Sequence, residues 1–129
     1  MTAPTTLQPS ATVLEALQRP IDPRHIRQLR KGSVTLDYVP WFIIAKHLHH
    51  RAPGWTWVVR SVQEVGGSVV VHGTLLIPTS DGTLRYDAVA SETLKGSSHA
   101  PSAEVAESAC LRRAAAKCGL AIDLYDPTQ

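Results

Sequence analysis

Apolar and polar positions along the chain divide it into short helices, then long strands, then one long helix. Val13, Leu14 and Leu17 recur at helical spacing in ATVLEALQRP, a short helix that Pro20 stops. Asp22 and Pro23 suit an N-cap and a first turn, which predicts a second short helix over PRHIRQLRK anchored by Ile26 and Leu29. SVTLDYV alternates in the manner of a strand. Pro40 then opens a helix, PWFIIAKHLHHRA, in which Trp41, Ile44, Ala45 and Leu48 form the stripe expected to be buried. From Gly54 the period changes to two. GWTWVVRSVQEV and SVVVHGTLLIPT flank a Gly66-Gly67 turn, and TLRYDAVASE follows an Asp81-Gly82 pair with a type I′ turn signal. LKGSSHAPS, which holds Lys95, reads as the loop into the last helix.

That last helix, HAPSAEVAESACLRRAAAKCG, has both its ends written into it. Pro101 suits a first helical turn, and Gly119 suits the left-handed residue that closes a helix. On a 3.6-residue period Ala103, Ala106, Cys110, Leu111, Ala114 and Cys118 share a core face, and Arg112 points nearly opposite. Arg113 and Lys117, four apart, sit on a flank beside Ala106, Ala109 and Ala116. Small side chains there let another backbone come close, and the cations favour an anionic one. The apolar LAIDLYD that follows is expected to cover a core edge or a neighbouring subunit.

Together these elements predict an α+β fold. An antiparallel meander of three long strands, with a short N-terminal strand nearby, packs against the long C-terminal helix. Residues 1–12 read as a flexible tail, 13–125 as one domain and 126–129 as a C-terminal tail. Long hairpin strands leave edges that feed oligomerisation.

Composition narrows the class. At 129 residues, with 43% hydrophobic and 19% charged positions, the chain fits one soluble globular domain with its own core. Its longest apolar run, VPWFIIA, is far short of the ~18 residues of a membrane span, and no apolar signal segment opens the chain. Cys110 and Cys118 lie about 12 Å apart along one helix axis at ~1.5 Å per residue, too far to bridge. They read as small buried groups in a reducing compartment, which points to a cytoplasm. Net charge is +2, but residues 24–60 carry seven basic residues against Asp37 alone, while 61–129 carry five against eight acidic ones. Such asymmetry suggests a polyanion partner, self-association between opposite faces, or both.

Candidate chemistry is mostly electrostatic. Arg24, Arg27, Arg30 and Lys31 exceed what solubility requires over so short a segment, and suit phosphate contact. His47, His49 and His50 have no Cys, Asp or Glu near them in sequence and no HExxH spacing, so they read as a polar helix face rather than a metal site. There is no GxxxxGK[ST] loop and no GxSxG elbow, and Asp81, Asp87, Glu92, Glu104 and Glu107 are spread over a turn, a strand and a helix. The expectation is a protein that is not an enzyme and uses no cofactor or metal.

The element order, and above all VTLDYVPWFIIAKHLHHRAPGWTWVV and ESACLRRAAAKCGLAIDLY, resembles the single-strand annealing proteins of the Rad fifty-two type, including bacterial DdrA-like and phage relatives, over roughly residues 23 to 125. The resemblance implies a ring-forming protein whose outer basic groove holds single-stranded DNA by its backbone, bases outward, without ATP or metal. It assigns Arg112 and Arg113 as phosphate ligands. Ala116 stands where eukaryotic members carry a further basic residue, and Lys117 is the nearest substitute. Arg30 is the candidate for an arginine that the family places before the first strand, with Arg27, Lys31 and Lys95 as further DNA-binding candidates. The family's recombinase-recruiting C-terminal tail has no counterpart here, so an annealing core alone is expected. The implied function is annealing of complementary strands in recombinational double-strand break repair, in a bacterial or phage protein associated with the nucleoid. Single-strand-binding or recombination proteins are the implied partners. The alternative is an oligomeric end-protecting or scaffold protein of the same fold that does not anneal.

Overall fold

The computed structural model describes residues 6–94 and 100–125. Its elements are α1 (Ser10–Leu17), β1 (Arg27–Lys31), β2 (Val34–Tyr38), α2 (Trp41–Arg51), β3 (Thr56–Val65), β4 (Ser68–Thr79), β5 (Gly82–Thr93) and α3 (Ala100–Lys117). Short 3₁₀ turns occupy Pro23–His25 and Ile122–Tyr125. The fold is α+β. β3, β4 and β5 form an antiparallel meander, and β1 and β2 form a separate two-stranded sheet.

Strand alternation builds the core. Val69, Val71, Leu75 and Ile77 of β4, with Ala88 and Ala90 of β5, face α3. Ala106, Cys110, Leu111, Ala114 and Cys118 of α3 meet them, and Val13 and Leu17 of α1 with Ile43, Ile44 and Leu48 of α2 close the same core. The expected core face of α3 is therefore the observed one, widened by the buried Ala115 and Ala116. Small residues on both sides let helix and sheet approach closely enough for the Cys110 thiol to reach the Ala88 carbonyl at 3.2 Å.

The end of α3 is the one the sequence predicts. Gly119 has φ +104°, the Leu120 amide donates to the Ala115 carbonyl (3.0 Å) and the Gly119 amide to that of Ala116 (2.9 Å). That pairing satisfies two carbonyls of the last turn and delivers Leu120 into the core, fully buried. At the other end of the chain, the expected tail residues Ser10–Thr12 form the first turn of α1. The Asp81 carboxylate of the β4–β5 turn accepts from both the amide and the hydroxyl of Ser10 at 2.7 Å, an anion at a helix N-terminus.

Three expectations need correcting. The predicted helix over PRHIRQLRK is a 3₁₀ turn followed by strand β1, which pairs Leu29 with Leu36 and Lys31 with Val34 around Gly32 at φ +62°. Two apolar anchors are too few to stabilise an isolated helix, while the neighbouring strand offers every backbone group a partner. The predicted Asp81-Gly82 turn lies one residue earlier: Thr79 pairs with Gly82, Ser80 and Asp81 make the turn, and neither has the positive φ of type I′. Gly66 and Gly67, both at positive φ, do form a turn between the paired Val65 and Ser68. Finally, α2 buries Ile44 and Leu48 as expected but adds Ile43, while Trp41 is 53% exposed and Ala45 half-buried.

Candidate nucleic-acid interface

α3 stands between two clefts. The larger, about 520 Å³, is bounded by the β1–β2 hairpin, edge strand β5, α3 and the terminal 3₁₀ turn. Arg112 and Arg113 line it from the α3 side. Arg113 is exposed, and Arg112 is partly covered because its guanidinium lies 5.4 Å from the centre of the Tyr38 ring. Strand pairing explains that contact: Leu29, Leu36 and Tyr38 share one hairpin face, turned towards α3. Val89 and Val105 complete an apolar floor. The cleft is thus cationic along α3 and largely apolar along the hairpin, with the acidic Asp37 and Glu92 also in its lining.

Tyr125 comes in from the terminal turn. It is half exposed as a residue, yet burial raises its hydroxyl pKa against the opposing pull of Arg112 and Arg113. The hydroxyl therefore stays protonated beside the arginines and remains a hydrogen-bond donor. This corner can hold an anion by two guanidinium groups and a phenol, with one guanidinium oriented by an aromatic face.

The remaining sequence candidates are dispersed. Lys117 spans from α3 to β5, donating to the Asp87 carbonyl at 2.6 Å, and does not line the cleft. Arg30 alternates with Leu29, so it projects from the hairpin face opposite the cleft. Arg27 donates to the Arg24 carbonyl at 2.8 Å. Lys31 closes β1 with its side chain outside the described residues, as is the whole of Lys95. Tyr38 and Tyr125 were not singled out by the sequence as partners of the arginines. Alternation in VTLDY could have put Tyr38 on the face of Leu36, but nothing local pairs that face with α3.

Outside this cleft, the face of the sheet away from α3 carries a polar relay. Thr74, fully buried, accepts from Arg60 Nε (3.0 Å) and donates to the Asp87 carboxylate (2.5 Å), which also accepts from Arg85 (3.3 Å). The Thr74 and Arg85 bonds hold the Asp87 carboxyl below its ordinary pKa. The relay ties three strands together. Among the described residues no group of three metal-ligating side chains converges, and no helix is long and apolar enough to cross a membrane.

No family model matches the chain. It is 26% identical over 120 residues to DNA repair RAD52-like protein 1, mitochondrial, of Arabidopsis thaliana, an overlap covering 92% of this chain and 68% of that protein. That similarity supports a Rad52-type family. It does not reach a DdrA-like subtype. A solved structure reported as "An enumerative algorithm for de novo design of proteins with diverse pocket structures" overlaps 64% of this chain and 71% of its own at 15% identity and a TM-score of 0.26, too low to carry an argument.

Proposed function

We propose that this chain binds single-stranded DNA along the Arg112–Arg113 cleft and anneals complementary strands in recombinational DNA repair, as a homo-oligomer. The observation that carries the reading is the arginine pair on α3, open to the larger cleft, with Arg112 braced by Tyr38. The similarity to a RAD52-like DNA repair protein agrees with it.

Two adjacent arginines on a rigid helix neutralise successive phosphates, and the counterions released make binding tight, salt-sensitive and indifferent to sequence. Annealing requires the bases to stay free, so the backbone must supply the grip. Repetition of a modest site around an oligomer then gives avidity without a deep pocket. Nothing in this scheme makes or breaks a covalent bond, so it calls for no nucleophile, nucleotide or metal.

The test is the pair Arg112→Ala and Arg113→Ala, read by anisotropy of labelled oligo-dT across a salt series and by annealing of complementary oligonucleotides. With two phosphate contacts removed, the salt slope becomes shallower by about 1.4, at ~0.7 per contact on a single strand, and annealing slows with it. Unchanged affinity and slope in a folded variant of native mass would sink the assignment. DNA binding that survives in the native protein without any annealing would favour an end-protecting role instead.

A further inference from the structure

The second cleft beside α3, about 380 Å³, has no part in that reading. Trp41, Trp55 and Trp57 wall it, and Glu104 and Glu107 stand along its α3 side. Trp41 is more than half exposed and packs edge-to-face on Phe42, also exposed, with ring centres 6.1 Å apart. Aromatic surface gathered in this way marks a contact site more often than a solvent-facing wall. Its chemistry is selective. Indole faces attract cations, a guanidinium stacks on them best, and its N–H groups can meanwhile reach carboxylates.

The chain itself presents such a group. Arg30 is exposed on the β1–β2 hairpin, on the face turned away from the first cleft, whereas Arg27 is committed to the Arg24 carbonyl. The hairpin cannot fill the second cleft of its own chain. It lines the first cleft opposite Val105, Ala109 and Arg112, and the Glu104–Glu107 side of α3 lies about 135° further round the helix at ~100° per residue. Charge distribution runs the same way, since the segment holding the hairpin, 24–60, has seven basic residues to one acidic and the segment holding the glutamates, 61–129, has five to eight.

We infer that the cleft walled by Trp41, Trp55 and Trp57 receives Arg30 from the hairpin of a second copy of this chain, with Glu104 and Glu107 as its counterions. The donating and receiving surfaces differ, so each copy gives one hairpin and takes one. Such head-to-tail contacts close into rings or run on as filaments. The inference rests on the self-association in the proposed function and not on its DNA site.

The experiment uses the full chain, with sedimentation velocity over a concentration series and circular dichroism to confirm folding. Arg30→Glu alone, and Glu104→Lys with Glu107→Lys, each weaken association by about a hundredfold, the scale of an unpaired charge at a contact. Mixing the two variants restores association, because each reversed surface then meets its complement. Single variants of native mass, or folded variants that fail to reassociate on mixing, overturn the inference. So does a wild-type chain that stays monomeric while an arginine-rich peptide quenches its tryptophan fluorescence, which would assign the cleft to another protein. Oligo-dT anisotropy run in parallel separates the two readings. If Arg30→Glu loses DNA affinity at unchanged mass, Arg30 serves DNA and the docking contact is wrong. If association follows the charge swap while the native protein ignores DNA, the proposed function fails alone.

Discussion

Gly73→Ala is the sharpest test of how the aromatic wall is built. Trp57 pairs with Leu75 across β3 and β4 and lays its ring over Gly73, two pairs along on the same face. A Cβ at position 73 would meet Trp57 Cζ3 at 3.1 Å, with Cη2 and Cζ2 closer still, against ordinary carbon contacts of about 3.5–4.0 Å. The ring must therefore move. Overpacking of this kind costs about 1–3 kcal/mol, and removing a strand glycine returns about 0.5–1 kcal/mol, leaving a net loss of about 1–2 kcal/mol. Thermal midpoints should fall by roughly 4–8 °C, at about 4 °C per kcal/mol for a domain of this size. The assay is urea unfolding by circular dichroism at one fixed protein concentration, since association shifts apparent stability. The decisive measurement is the double-mutant cycle with Trp57→Ala. On that background Gly73→Ala becomes neutral or stabilising by about 0.5 kcal/mol, because the atoms that opposed the methyl are gone. An equal cost on both backgrounds would refute the Trp57–Gly73 contact as its cause.

Two further outcomes follow from the electrostatics and the core. Asp87 has a folded pKa below its unfolded one, so its stabilisation is full above the ordinary carboxylate range and is lost as pH falls through the lower folded value. Asp87→Asn should narrow the difference in urea midpoint between pH 7 and pH 3, and an unaltered difference would show that the relay does not govern the acid limb. Burial pushes the Cys118 thiol up to about 11 and raises that of Cys110, so neither should react with Ellman's reagent at pH 8 until the protein unfolds, when both do. Rapid labelling of the native protein would contradict the buried α3–β5 packing.

Much of the molecule is legible along the chain because its signals are local. The Gly66-Gly67 turn, the long alternating strands and the α3 core face each follow from residues within a few positions of one another. Gly119 predicts its own helix end because only a residue without Cβ takes φ +104° there without strain, and Gln18 packs where a Cβ would stand. Local reading failed at PRHIRQLRK. Its residues tolerate a helix, and pairing with Val34–Tyr38 made it a strand.

The arginine pair of α3 was visible as chemistry in the sequence, and so was the division of charge between the two parts of the chain. Tertiary structure decided which cations share a surface. Two residues in one hairpin, Leu29 and Arg30, point to opposite faces, so the leucine enters the Arg112–Arg113 cleft while the arginine leaves it. Lys117, four residues beyond Arg113 on the same helix, is drawn instead to the carbonyl of Asp87. Trp41, Trp55 and Trp57 were gathered with Glu104 and Glu107 into a second cleft. The sequence by itself determined the elements and the stock of charge, since both depend on near neighbours and composition. Which charges meet depends on how a hairpin, a sheet edge and a helix pack together, and that is set by contacts between residues far apart in the chain.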